Sequence, residues 1–196
     1  MKASLVLAAA ITFAAGSFAM IPSVQSADTT NHQQMQNTSL NQQSDDQEFV
    51  QDAASGNAME IQLGQYMLSR TKNADSKTLA QMLVQDHQDA QKKLQAAAQK
   101  AGVTFKDELT AVHKAQLEEL KQKDPKDLDR CFAFSAIADH RKDIMEYTYA
   151  GKTLKNDPLK QYANDSLPVL RKHLQEADKL AQSVAGVSDS SMATER

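Results

Sequence analysis

The chain has 196 residues, with 22 basic and 25 acidic side chains, a formal net charge of −3, one cysteine and no tryptophan. It carries no basic patch dense enough to bind nucleic acid. The single cysteine, Cys131, excludes an internal disulfide, so packing must stabilise the fold. Ala, Gln, Lys, Leu and Asp dominate while Gly and Pro are few, which predicts a helical protein.

Residues 1–26 have the pattern of a secretory signal peptide: Lys2, an apolar run from Leu5 to Ala19, and then polar sequence. Small residues allow cleavage after Ser26 or after Ala19, and the "IPS" that ends the apolar run favours Ser26. The alternative is an uncleaved anchor, but the run is short for a span of ~20 residues. We therefore predict an exported protein, periplasmic in a Gram-negative cell. Losing Lys2 leaves 21 basic against 25 acidic residues, a net charge of −4.

The rest of the chain alternates helical patterns with capping signals. Residues 27–43, rich in Gln and Asn, are predicted to be a disordered spacer. Residues 44–184 are predicted to form a helical domain, and residues 185–196 a frayed tail. The expected helices are A (Ser44, in a capping box with Gln47, to about Thr71), B (Asp75 or Ser76 to Gly102), a short helix (Thr104 to about Lys121), C (Pro125 to Gly151) and D (Pro158 to about Val184).

The connections between these helices predict a fold. Short A–B and C–D loops predict two antiparallel hairpins, and the long B–C connection carries its own helix. We therefore predict an all-α, ferritin-like four-helix bundle with a short extra helix in the crossover. The alternative is a simple up-down bundle with the short helix as a lid. Pro168 lies inside helix D and is expected to bend it.

Each long helix carries one polar residue at the spacing of its apolar stripe: Glu60, His87, His140 and His173. Counted from the predicted helix ends, Glu60 and His87 are level, whereas His173 is ~7 Å from the level of His140. Imidazoles and a carboxylate bind transition metals, so these four residues are the predicted metal ligands. Asp86, Asp143 and Glu176 are the candidates to orient the imidazoles.

Two alternatives limit the metal prediction. The four residues can instead form a structural polar core, in which Glu60 and His87 bond to each other. The chain also has no Glu-x-x-His sequence, which di-iron bundles use, so a ferroxidase centre is disfavoured and one Zn, Cu or Fe ion is expected. No nucleophile–base pair is recognised, so no catalytic residue is predicted and an enzyme is not favoured.

Four segments together resemble one bacterial family, the domain of unknown function numbered 4142, often labelled a predicted outer-membrane protein of the ferritin-like group. They are "FVQDAASGNAMEIQLGQYMLSR", "AQMLVQDHQDAQKKL", "DLDRCFAFSAIADHRKDI" and "YANDSLPVLRKHLQEADKL". The resemblance covers about residues 47–183 and implies a ferritin-like bundle in an exported protein, without an assigned activity. The residues themselves do not support the outer-membrane label.

Taken together, the sequence predicts an exported bundle that binds one transition metal for metal handling or envelope stress protection. The rival interpretation is a metal-free structural or partner-binding module of the cell envelope. The partner stays unassigned, and a monomer and a homodimer are both compatible with the apolar stripes.

Overall fold

The computed structural model describes the backbone of residues 28–192 and the side chains of residues 44–185, and every regular element in that range is an α-helix. The helices are α1 (Asp28–Arg70), α2 (Ala74–Ala101), α3 (Ala111–Lys121), α4 (Leu128–Thr153) and α5 (Asp157–Met192). The predicted all-α class is confirmed. None of these helices is both long and apolar enough to cross a bilayer. The predicted signal peptide, residues 1–26, lies outside the described residues.

The outer helix ends differ from the prediction. The backbone is helical from Asp28, so residues 28–43 continue α1 where a disordered spacer was expected, and α5 continues to Met192 through most of the expected tail. The physical reason is cooperativity: adding a residue to an existing helix costs far less free energy than nucleating one. Gln is also a good helix former, so a polar composition does not itself end a helix.

The crossover between α2 and α4 is less helical than predicted. The short helix begins at Ala111 after the N-cap Thr110, not after Thr104. The carbonyl oxygen of Thr104 instead accepts a 2.7 Å hydrogen bond from the Gln47 side chain. Similarly, α4 begins at Leu128 rather than at Pro125. The Asp124 carboxylate accepts from the backbone N–H of Lys126 at 3.0 Å and closes a turn there.

Three contacts fix the direction of the helices. The crossover passes α1 first at Gln47, beside Thr104, and finally at Tyr66, whose hydroxyl donates to the Lys121 carbonyl at 3.2 Å. Asp129 at the start of α4 then accepts a hydrogen bond from Thr71, just beyond the end of α1. The crossover therefore runs parallel to α1, and α4 runs parallel to α2. This connectivity is that of ferritin-like bundles and excludes the simple up-down alternative.

The core of the bundle is interrupted by a polar layer. One apolar cluster includes Leu63, Leu83, Phe132 and Leu180, and the other includes Val50, Leu94, Tyr147 and Leu170. On α2, α4 and α5 the two clusters are separated by His87, His140 and His173, whereas on α1 Glu60 lies at the edge of the first cluster, just after Met59. We call Glu60, His87, His140 and His173 the polar layer.

Gly64 sets the distance between α1 and α2. A Cβ at this position would lie 2.7 Å from Val84 Cγ2 and 2.8 Å from the Ala80 carbonyl oxygen. The oxygen belongs to the α2 backbone, so it cannot rotate away as a side chain can. Gly56, also on α1, differs because a Cβ there would meet only His113 Cε1, at 3.8 Å.

We predict that Gly64→Ala lowers the free energy of unfolding by about 1–3 kcal/mol, because overpacking outweighs the better helix propensity of Ala. Urea unfolding followed by circular dichroism measures this change. Gly56→Ala is the matched control and should leave stability unchanged or raise it by up to ~1 kcal/mol. Equal effects of the two substitutions would show that helix propensity alone decides.

Candidate metal centre

The polar layer gathers one side chain from each long helix, and each is at most 4 % exposed. The three imidazole centroids lie 5.0–5.8 Å apart. His173 therefore reaches the other rings, although the sequence placed it ~7 Å from the level of His140. The estimate was wrong because α4 does not end at Gly151 but continues to Thr153. His140 is consequently further from the α4–α5 turn, which reduces the difference in height to ~4–5 Å, within reach of two imidazole side chains.

The orientation of His87 is set by Asn57 of α1. The Asn57 amide nitrogen donates to Gln91 Oε1 at 3.0 Å, which turns its carbonyl oxygen toward His87. That oxygen accepts a 2.9 Å hydrogen bond from Nδ1 of His87. The proton of the neutral ring is therefore on Nδ1, and Nε2 carries a lone pair. Among the described residues, Nε2 of His87 is buried without any hydrogen-bond partner.

His140 and His173 are held in the same way by acceptors outside the layer. Nδ1 of His140 donates to the Ala136 carbonyl at 2.8 Å, one turn earlier on α4. Nε2 of His173 donates to Asp86 Oδ2 at 2.9 Å. The remaining nitrogens, His140 Nε2 and His173 Nδ1, face each other at 3.0 Å. With both rings neutral, two lone pairs meet at hydrogen-bond distance without a proton between them.

Burial keeps the three rings uncharged. Together with the neighbouring imidazoles, burial lowers the pKa of His140 to about 4 and the pKa of His87 well below its usual range. Burial also lowers the pKa of His173, although the Asp86 carboxylate opposes this. At neutral pH the layer therefore presents three unprotonated nitrogens, and one ligand atom from each ring lies within 4.8 Å of the others.

Glu60 lies beside this trio rather than in it. Its Oε1 is 3.9 Å from Nδ1 of His140, the nitrogen that faces away from His173. In the described part of the chain neither carboxyl oxygen has a hydrogen-bond partner. Burial, together with the charges of Asp139 and Asp143, raises the pKa of Glu60 well above its usual range. Burial therefore favours the protonated, neutral form of Glu60 when no cation is near.

The three residues expected to orient the imidazoles have different surroundings. Asp86 bonds to His173 from the neighbouring helix α2. Glu176 forms a 2.7 Å ion pair with Lys179 and does not bond to His173. Asp143 does not bond to His140, whose Nδ1 uses the Ala136 carbonyl; burial raises the pKa of Asp143 to about 7.

Two of the groups that orient the rings, the Asn57 side chain and the Ala136 carbonyl, are not among the residues predicted from the sequence. Asn57 was noticeable as a polar residue in the apolar stripe of α1, three residues before Glu60. The Ala136 carbonyl has no sequence signal, because every residue of a helix carries one. The groups that fix a tautomer therefore emerge only when the helices are packed.

A groove of about 590 Å³ between α2 and α5 reaches the layer from solvent. Its lining includes His87 and His173. Asp86 also lines the groove, and its side chain is 32 % exposed to solvent. Tyr147 and Tyr162 form part of its inner wall. The groove offers a small ion a path to two of the three imidazoles.

The fold and the layer define the class: an all-α bundle with one long crossover and three histidines in its core. The chain belongs to the family described as a domain of unknown function, DUF4142, whose model matches residues 29–180. The resemblance inferred from the four segments is thereby confirmed. No curated protein and no solved structure gives a significant match.

In the metal-free protein we predict Nδ1–H tautomers for His87 and His140 and an Nε2–H tautomer for His173. The reason is that each ring donates to the acceptor outside the layer. Long-range ¹H–¹⁵N correlation spectra distinguish the two tautomers. His140 should remain neutral at pH 6 and titrate near pH 4. Titration of all three layer histidines near the model-peptide value of ~6.5 would contradict the geometry.

Proposed function

We propose that the chain binds one divalent transition metal ion, Zn, Cu or Fe, through His87, His140 and His173. The observation that carries the proposal is the set of three inward nitrogens, whose outer partners direct every ring proton away from the centre. Two nitrogens bound to one metal at about 2.0–2.1 Å and about 90–110° apart are separated by about 2.8–3.4 Å. The 3.0 Å between His140 Nε2 and His173 Nδ1 is in that range.

Energetics favours a ligand over a purely structural layer. A buried polar atom without a partner costs about 1–3 kcal/mol, and a structural hydrogen-bond network would leave few of them. His87 Nε2 and both oxygens of Glu60 have no partner in the described part of the chain. Glu60 and His87, which the alternative interpretation pairs with each other, form no mutual hydrogen bond among the described residues. A bound cation would satisfy the histidine nitrogens at once.

Glu60 supplies the negative charge that a buried dication needs. A metal ion near His140 favours the ionised carboxylate, so binding would release the proton that burial holds on Glu60. The carboxylate then lies on the outer side of His140, where it balances the charge of the ion through the imidazole rather than as a direct ligand. Imidazole nitrogens suit Zn, Cu and Fe, whereas Ca²⁺ and Mg²⁺ prefer an all-oxygen site. A three-histidine set also differs from the carboxylate-rich di-iron centres of other bundles, in line with a single ion.

The proposed role is metal handling or protection against envelope stress, and the proposal assigns no reaction to the centre. It places the protein in the periplasm after removal of residues 1–26. The support for export is the signal-peptide pattern alone.

We predict about one equivalent of metal per chain when the untagged protein is purified and measured by elemental mass spectrometry. His87→Ala should reduce the metal content below about a tenth of an equivalent per chain, because a site left with two imidazoles loses most of its affinity for the ion. Glu60→Gln should weaken binding about 10- to 100-fold, as loss of a supporting carboxylate does.

The matched control is His113→Ala, because His113 is also buried but lies outside the layer, where its Nδ1 contacts the Ser55 hydroxyl at 2.7 Å. This variant should keep its metal. A folded wild-type protein that takes up none of these ions would refute the proposal and leave the layer as a structural feature. Equal metal loss in the His113 and His87 variants would also contradict it.

For export, we predict that the protein recovered from a Gram-negative periplasm begins at residue 27. Intact-mass measurement separates this form from the one cut after Ala19 and from the uncleaved chain. Recovery of the full-length chain in the membrane fraction would support the anchor alternative instead.

A further inference from the structure

The seam between α1 and α4 is only half covered. α1 and α4 approach each other less closely than α1 and α2 or α4 and α5 do. The upper part of the seam, toward the C-terminal end of α1, is occupied by α3, which buries Leu117 and Leu120 in the core. Below the start of α3, a groove of about 810 Å³ remains open between α1 and α4. We call this lower part the α1–α4 groove.

Exposed apolar side chains concentrate at this groove. In the described part of the chain, four large apolar residues are strongly exposed: Val112 (64 %), Phe134 (55 %), Met145 (68 %) and Tyr149 (70 %). All of these except Phe134 line the groove. Single exposed apolar residues are ordinary, but a cluster around a concave surface is typical of an interaction site.

The rim of the groove is acidic. Its lining includes four ionised carboxylates and one ammonium group: Asp45, Glu48, Asp52, Glu146 and Lys142. The lining also includes Asp143, whose pKa burial raises to about 7. Lys142 is already paired, with Asp52 at 3.3 Å and Glu146 at 2.8 Å. Asp45 and Glu48 are exposed and form no ion pair among the described residues. The groove therefore offers apolar contact together with excess negative charge.

We infer that the α1–α4 groove binds a basic amphipathic α-helix of a partner protein. The seam itself supports a helical occupant, because α3 is an eleven-residue helix that fills its upper part. From Asp45 to Gly56 the groove follows α1 for ~16 Å, about three helical turns. The charge of the rim requires Lys or Arg on the occupant, and the exposed apolar residues require a nonpolar face. The inference does not depend on the metal site.

The first test uses the full chain and a labelled helical peptide of about fourteen residues with leucine on one face and lysine on the other. Fluorescence anisotropy should show saturable binding, and a peptide with glutamate replacing lysine should bind at least tenfold more weakly. The double variant Met145→Ser, Tyr149→Ser should lose at least tenfold in affinity. Both residues are strongly exposed, so the fold is retained, which circular dichroism verifies.

The matched control is Phe134→Ser, which removes an exposed aromatic ring outside the groove and should leave the affinity unchanged. Asp45→Asn with Glu48→Gln should weaken binding and reduce its salt dependence. The inference is overturned if the Leu–Lys peptide does not bind, or if it binds equally to wild type and to the Met145/Tyr149 variant. Sedimentation showing dimers that this double variant abolishes would assign the groove to a second copy and overturn it as well.

Discussion

Three lone pairs that face one another inside an apolar bundle are the constraint on which the rest of this structure depends. Each imidazole donates its proton outward, and none donates into the centre. Such an arrangement is unfavourable by itself, because buried polar atoms need partners. The two apolar clusters above and below the layer hold the four helices in place and so keep the nitrogens together. Packing of the apolar clusters therefore holds together three nitrogens that would otherwise move apart to find hydrogen-bond partners.

The groups that set the tautomers come from three different sources. His87 depends on the side chain of Asn57, His140 on a backbone carbonyl of its own helix, and His173 on the carboxylate of Asp86. These hydrogen bonds link α1 to α2 and α2 to α5. Both helix pairs are among the three most extensively packed in the bundle, and the third is α4 with α5. Metal sites depend on such outer hydrogen bonds for ring orientation and ligand basicity. A change in helix packing would thus alter the site without touching a histidine.

The sequence predicted the helices and the four layer residues because both follow from period alone. Apolar positions at helical spacing define a face, and one polar residue per face is noticeable. The height of His173 was misjudged because Gly151 was expected to end its helix. In the structure Gly151 lies within α4 and packs against Asn164 of α5, where a Cβ would overlap the Asn164 side chain. The position of Glu60 on the far side of His140, and the bond from Asp86 to His173, depend on packing angles that no local pattern contains.

The most direct measurement is anomalous diffraction at the zinc edge from crystals of the untagged protein grown with Zn²⁺. We predict one strong anomalous peak between His87 Nε2, His140 Nε2 and His173 Nδ1, with each nitrogen about 2.0–2.1 Å from the ion. A peak only at surface carboxylates, with the three rings unchanged and no ion between them, would contradict metal binding by the three histidines.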